Sequence, residues 1–133
     1  MIRRLWPALV WALLILVLTG LPGSYFPEVT SFWDWLSPDK AVHLFIFGVQ
    51  AYLVFFGIKP QYLPHKQRYL FVILATAATV LFGLTTELLQ RHVFYGRDGN
   101  TFDFLADAVG VFLGWLVYYF VNMRNIVSKN KSQ

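Results

Sequence analysis

Residues 69–90 have the sequence YLFVILATAATVLFGLTTELLQ, the longest of the apolar stretches in the chain. From Tyr69 to Thr86 it holds no ionisable side chain except tyrosine, and the first charged residue is Glu87. A helix needs about 20 mostly apolar residues to cross the ~30 Å hydrocarbon core of a bilayer. The stretch therefore predicts a transmembrane helix with an acidic group near one end.

Three further apolar stretches of similar length lie at residues 5–21, 41–58 and 104–123. Of the 133 residues, 57% are hydrophobic and 14% are charged, and the mean hydropathy of +0.53 is too high for a soluble domain. We predict an all-α polytopic membrane protein, a four-transmembrane-helix bundle in which residues 1–133 form a single domain. The chain has no cysteine, which excludes disulfides and thiolate metal sites.

The first apolar stretch follows Arg3 and Arg4, as the hydrophobic region of a signal peptide would. A retained helix is favoured because the run from Leu5 to Pro27 is long and no A-x-A cleavage site closes it. The signal peptide stays open as the alternative.

Aromatic and polar residues alternate between the first two spans, a composition typical of a segment at a membrane surface. The aromatic residues are Tyr25, Phe26, Phe32, Trp33 and Trp35. We predict an interfacial segment here, either as a plain aromatic anchor or as part of a ligand site.

Lysine and arginine are distributed unevenly over the predicted loops, and cytoplasmic loops usually carry the excess. With a cytoplasmic amino terminus, most of the eleven fall inside: Arg3, Arg4, Lys59, Lys66, Arg68, Arg124, Lys129 and Lys131. Only Lys40, Arg91 and Arg97 then fall outside. We therefore predict that both termini are cytoplasmic.

All seven acidic residues lie in the predicted outer loops or in the outer turns of the helices. They are Glu28, Asp34, Asp39, Glu87, Asp98, Asp103 and Asp107. Although the net charge is +4, the predicted distribution is dipolar, with a basic inner side and an acidic outer side. Anionic lipid headgroups explain the basic inner face, so no nucleic-acid partner is implied. The acidic outer face needs another explanation.

Pairs of polar residues mark the outer ends of three spans, and their spacing of three or four puts each pair on one helical face. A charge at the centre of a membrane helix costs about 3 kcal/mol, so such residues usually have a function. The pairs are Lys40 and His43, Glu87 and Gln90, and Asp103 and Asp107.

The start of the second span is predicted by Ser37, Pro38 and Asp39, as N-cap, first-turn proline and first-turn acid. His43 then lies shallow in the outer leaflet. Gln50 follows two turns later on the same face and is predicted near the middle of the membrane.

Small residues form stripes on the third and fourth spans. On the third span they end in the acid Glu87, and on the fourth they follow Asp107: Ala75, Thr79 and Gly83, then Gly110 and Gly114. We predict that the two stripes face each other, with Gly83, Gly110 and Gly114 as helix-packing residues. The polar pairs would then converge at the outer mouth of the bundle, near Arg97.

An ordered set of residues on the outer side comprises Asp39-Lys40-x-x-His43, Glu87-x-x-Gln90, Arg97, Asp103, Gly110 and Gly114. From about residue 37 to residue 120, this pattern resembles the VanZ-like membrane proteins. The family takes its name from a protein associated with teicoplanin resistance, so the resemblance implies a bacterial cytoplasmic-membrane protein with an effect on glycopeptide antibiotics. The family favours Asn at position 107; the Asp here needs Lys40, Arg97 or His43 as a partner, or a proton.

The side chains of the cluster suggest acid–base chemistry and headgroup binding. We take Glu87, His43 and Asp103 as candidate catalytic residues, with His43 as a general acid or base beside Glu87. Arginine forks onto phosphate or carboxylate, so the candidate substrate-binding residues are Lys40, Gln90, Arg91, Arg97 and Asp107. The cluster has suitable metal ligands but no H-E-x-x-H spacing, so neither a metal nor a cofactor is assigned.

Three functions remain open on the sequence alone. The first is a protein that binds or modifies a lipid-linked or cell-envelope component, with membrane lipids or such a precursor as its partner. The second is a small oligomeric transporter lined by Gln50. The third is a structural protein whose polar cluster only joins helices, with Glu87 and Arg91 as a helix-end ion pair and His43 as a core histidine. The sequence decides neither whether a reaction is catalysed nor whether copies pair.

Overall fold

The fold is all-helical in the part of the chain that the computed structural model describes, residues 2–21, 38–62, 68–94 and 101–130. This part contains four α-helices and no strand: α1 is Ile2–Gly20, α2 is Pro38–Tyr62, α3 is Arg68–His92 and α4 is Thr101–Asn130. Each helix contains all or nearly all of one apolar stretch of the sequence. The prediction of an all-α protein is confirmed.

Three of these helices are long and apolar enough to cross a bilayer, over Asp39–Ile58 of α2, Tyr69–His92 of α3 and Thr101–Asn122 of α4. The apolar part of α1, from Arg4 to Gly20, is shorter. Large hydrophobic side chains such as Phe45, Ile73 and Phe112 are more than half exposed. Helices that are apolar on their outer as well as their inner side are typical of membrane spans, so this is a membrane protein.

Charged residues at the helix ends complement the helix dipoles. α2 begins at Pro38 with Asp39 in its first turn, as predicted, and α4 has Asp103 in its first turn. α3 ends with Arg91 and His92 in its last turn. Acids near a helix start and bases near a helix end are stabilising, so these residues help to fix where the helices begin and end.

The closest helix contact in the bundle joins α2 to α4. A Cβ added at Gly110 would press on the backbone carbonyl of Leu44, and one at Gly114 would press on that of Gly48. Backbone atoms cannot move aside as a flexible side chain can, so only glycine allows this approach. The prediction that these glycines face α3 is therefore wrong: they pack against α2.

The small-residue stripe on α3 does face the interior, but its contacts are with side chains. Ala75, Thr79, Gly83 and Glu87 are all buried. A Cβ at Gly83 would lie 3.1 Å from Oδ2 of Asp107 and 3.3 Å from the ring of Phe47. The glycine thus makes room on α3 for an acidic side chain of α4.

α1 packs against α2 and belongs to the same core. The indole Nε1 of Trp11 donates a hydrogen bond of 2.8 Å to the carbonyl oxygen of Ile46, and Ile15 is fully buried. A backbone carbonyl that accepts a bond from another helix fixes the two helices in register. α1 is therefore part of the packed bundle.

The apolar core has two layers. The layer nearer the start of α2 contains Ile15, Ile46, Phe47, Ala51 and Val111. The layer nearer its end contains Phe55, Ala75 and Tyr118, with the Phe55 and Tyr118 rings stacked at 5.6 Å between centroids. Residues 22–37, which include Ser37 and the predicted interfacial segment, lie outside the described residues.

Candidate functional site

Buried polar side chains gather at the end of the bundle where α2 and α4 begin and α3 ends. Four of them form what we call the polar cluster: His43, Glu87, Asp103 and Asp107. Every carboxylate that the structure describes lies at this end, since the remaining one is Asp39 in the first turn of α2. Glu87 and Gln90, predicted to share a face of α3, are both buried here.

The centre of the polar cluster is a hydrogen bond between α2 and α4. Nδ1 of His43 lies 2.9 Å from Oδ1 of Asp107, and both side chains are almost fully buried. When Asp107 is ionised, Nδ1 must carry the proton and donate it. Of the partners predicted for Asp107, the structure supplies His43.

Glu87 of α3 brings a second carboxylate to the same nitrogen. Its Oε1 lies 3.8 Å from Nδ1 of His43, and the residue is 6% exposed. The imidazole therefore stands between an acid from α3 and an acid from α4. Carboxylates orient a histidine and stabilise its charged form, an arrangement found where histidine transfers protons.

Two further acids lie one helical turn closer to the end of the bundle. Asp103 precedes Asp107 by four residues and is buried, and Asp39 precedes His43 by four and is half-buried. Two groups of three side chains, which share His43, have ligand atoms within 4.8 Å of one another. They are His43, Glu87 and Asp107, and Asp39, His43 and Asp103. Both groups offer the nitrogen and oxygen atoms that hold metal ions.

An apolar floor closes the polar cluster on the side of the bundle interior. Phe47 and Val111 are fully buried, and the ring of Phe47 packs against that of Phe82 with 5.8 Å between centroids. Charges interact more strongly beside such a surface than in water, because the local dielectric is lower. The floor therefore strengthens every ionic contact above it.

The predicted substrate-binding residues do not come together as one group. Nε2 of Gln90 donates a 3.3 Å hydrogen bond to the carbonyl oxygen of Thr19 and so joins α3 to α1. Arg91 is exposed, and Lys40 is half-buried and lines a cavity to which His43 does not contribute. Arg97 lies outside the described residues. Of the members of that set that the structure describes, only Asp107 joins the polar cluster.

Two neighbouring apolar cavities lie on the outside of the contact between α2 and α4 and share Leu44; together we call them the α2–α4 groove. Its first part, of about 610 Å³, begins at Lys40 and is walled by Leu44, Phe102, Leu105 and Val109. Leu44 also lines the second part, of about 360 Å³, which continues to Tyr52 on α2 and Val117 on α4. Twelve residues of α2 separate Lys40 from Tyr52, a rise of about 18 Å.

Sequence reasoning missed two residues that matter at this end. Gly48 forms the close contact with Gly114, and Thr19 supplies the carbonyl that Gln90 uses. Gly48 could have been recognised as a small residue on a membrane helix. Thr19 could not, because a backbone acceptor is common to every residue type and leaves no trace in the sequence.

No protein-family model, curated protein or solved structure matches the chain. The resemblance to VanZ-like proteins stays a prediction from the sequence. The polar cluster and the α2–α4 groove are the features of the structure that bear on function.

Proposed function

We propose that this protein is a VanZ-like integral membrane protein that acts on a lipid-linked or cell-envelope component in the outer leaflet of the bacterial cytoplasmic membrane. The observation that carries the proposal is the buried imidazole of His43, held 2.9 Å from Asp107 and 3.8 Å from Glu87. A histidine between two carboxylates is suited to accept and return a proton from a bound headgroup.

The depth of this histidine fits a lipid headgroup. His43 follows Asp39 by four residues, a rise of about 6 Å, and Asp107 follows Thr101 by six, a rise of about 9 Å. The headgroup regions add ~10–15 Å in total to the ~30 Å hydrocarbon core. A group near the helix ends is therefore within reach of headgroups and of the glycerol region just below them.

The α2–α4 groove provides a place for the chain of the same lipid. The length of the groove along α2, about 18 Å, is close to the ~15 Å thickness of one hydrocarbon leaflet. Lys40 stands at its outer end and matches the charge of a phosphate, while the rest of the lining is almost wholly apolar. We therefore assign the groove to an acyl or prenyl chain whose anionic headgroup contacts Lys40, one turn from His43.

The proposal includes a four-span topology with both termini cytoplasmic. The uneven distribution of lysine and arginine supports this orientation, and the packing of Trp11 and Ile15 against α2 supports a retained α1. The transport alternative is disfavoured because an ion path needs polar groups on both sides of the membrane, and the sequence has no ionisable side chain except tyrosine from Tyr69 to Thr86 and from Ala108 to Val121.

The experiment compares lipids and envelope precursors by mass spectrometry in cells with equal membrane levels of the wild type, Glu87→Gln or Thr85→Ala. Thr85 is exposed two residues before Glu87 on the same helix, so its variant is the matched control. We expect a species that is altered or enriched with the wild type and with Thr85→Ala, and absent with Glu87→Gln.

Identical profiles in all three strains would contradict the proposal and leave the polar cluster as a structural link between helices. Survival on teicoplanin, measured in the same strains, tests the implied antibiotic effect. We expect Glu87→Gln to lose any protection that the wild type gives, and Thr85→Ala to keep it.

A further inference from the structure

The polar cluster contains a set of atoms arranged as metal ligands. His43 from α2, Glu87 from α3 and Asp107 from α4 each place one nitrogen or oxygen atom within 4.8 Å of the other two. We propose that these three side chains bind one divalent first-row transition-metal ion, such as Zn²⁺ or Mn²⁺. This site goes beyond the proposed action on lipids and does not depend on it.

The measured distances fit a coordination shell. When two ligand atoms are each about 2.1 Å from a metal ion, their separation depends on the ligand–metal–ligand angle. It is ~3.0 Å for a right angle and ~3.4 Å for the tetrahedral angle. The distances from Nδ1 of His43 are 2.9 Å to Asp107 and 3.8 Å to Glu87, on either side of these values. A metal would replace the proton between His43 and Asp107 and draw Glu87 inward.

An independent observation comes from the second oxygen of Asp107. The side chain is completely buried, its Oδ1 bonds to His43, and its Oδ2 has no hydrogen-bond partner among the described residues. A buried carboxylate oxygen that lacks a donor is costly in an apolar surrounding. A cation held by this carboxylate would compensate both oxygens at once.

The charge of the buried residues agrees with a cation. Among the described side chains that are buried, the charged ones are His43 and three acids, Glu87, Asp103 and Asp107. A divalent ion supplies two positive charges where negative side chains predominate. Asp103 and Asp39, one turn closer to the end of the bundle, form the second ligand group around His43 and mark the path by which an ion would enter.

The ligand types select the class of metal. The site offers one imidazole and two carboxylates, and the chain has no thiolate. Imidazole with oxygen ligands suits zinc, manganese and iron rather than copper(I) or iron–sulfur centres. The sequence did not reveal the site because the ligands come from three helices, with no H-E-x-x-H spacing on any of them.

The test uses the purified full-length protein in detergent, stripped with EDTA and titrated calorimetrically with Zn²⁺. We expect one Zn²⁺ per chain, with binding weakened by about 100-fold or more in Glu87→Gln and in Asp107→Asn, since loss of an outer-shell group alone costs ~10–100-fold. No lipid substrate is present, so the result is independent of the proposed function.

A matched control leaves the site untouched. The chain has three histidines, so the double variant His65→Asn/His92→Asn retains His43 alone. With Mn²⁺ as probe, pulsed electron paramagnetic resonance should show coupling to a histidine nitrogen in the wild type and in this double variant. Absence of binding in the wild type, equal binding in the site variants, or loss of the coupling in the control would each overturn the proposal. The first and the last of these criteria need no folded site variant.

Discussion

At the scale of single residues, the fully buried side chain of Asp107 depends on the imidazole of His43 as its hydrogen-bond partner. Its side chain is 0% exposed, and His43 holds one of its oxygens. Removing one member of a buried pair is destabilising because the other member stays buried without its partner. The same pair therefore contributes to stability and positions the imidazole.

Asp107→Leu should lower the free energy of unfolding by about 1–2 kcal/mol, because the His43 imidazole loses its hydrogen bond while it stays buried. Asp107→Asn keeps a carbonyl acceptor and should lose less. The measurement is unfolding by SDS titration in mixed micelles. The double variant His43→Leu/Asp107→Leu is the control, and its loss should be smaller than the sum of the two single losses. Strict additivity would show that the two side chains do not interact.

The sequence predicted the membership of the polar cluster better than its contacts. Spacings of three and four placed His43, Glu87 and Asp107 on helix faces, and the positions of the spans placed them at one end of the bundle. The pairing of His43 with Asp107 crosses 64 positions and depends on how helices rotate against each other. Periodicity within one helix carries no information on that rotation.

At the scale of helices, α2 is the element that holds the bundle together. It contacts α1 through Ile46 and α3 through Phe47, and it has its most extensive contact with α4. That contact relies on backbone carbonyls of α2 lying directly against glycines of α4. Anything that separates these two helices also separates His43 from Asp107.

Gly114→Ala should lower the free energy of unfolding by about 1–3 kcal/mol, because its methyl group meets the carbonyl of Gly48 and forces α2 and α4 apart. Gly20→Ala is the control, since its methyl group meets only the side chain of Phe94, at 3.4 Å. Thermal unfolding in detergent measures both. Equal midpoints for the two variants would contradict the close helix contact.

The existence of the four helices could be predicted, but the helix partners of the glycines could not. Apolar length identified the spans, and Pro38 with Asp39 identified where α2 begins. A stripe of small residues shows that some backbone can come close. The stripe does not identify the helix that approaches, and Gly110 and Gly114 face α2 rather than α3.

At the scale of the whole molecule, charge is divided between the two ends of the bundle. Each carboxylate that the structure describes lies at the end where α2 begins. In the sequence, most lysines and arginines lie beyond the opposite ends of the predicted spans, and the positive-inside rule predicts that this side faces the cytoplasm. The direction of insertion is therefore open to a direct experiment.

Val93→Cys and Tyr69→Cys should differ in their reaction with a membrane-impermeant maleimide. These residues lie at opposite ends of α3 and are 66% and 69% exposed, so they form a matched pair. The chain has no cysteine of its own, which removes any background. We expect labelling of Val93→Cys in intact cells and of Tyr69→Cys only after permeabilisation. The reverse pattern would invert the proposed topology.

The origin of the polar cluster in three separate helices also has a consequence for biosynthesis. His43 is synthesised 64 residues before Asp107, so α2 exists before the helix that completes the cluster. Until α4 joins the bundle, His43 and Glu87 lack one of their acidic neighbours. We expect chains truncated before α4 to be retained by insertion factors or degraded. Stable accumulation of the protein would then require the complete cluster.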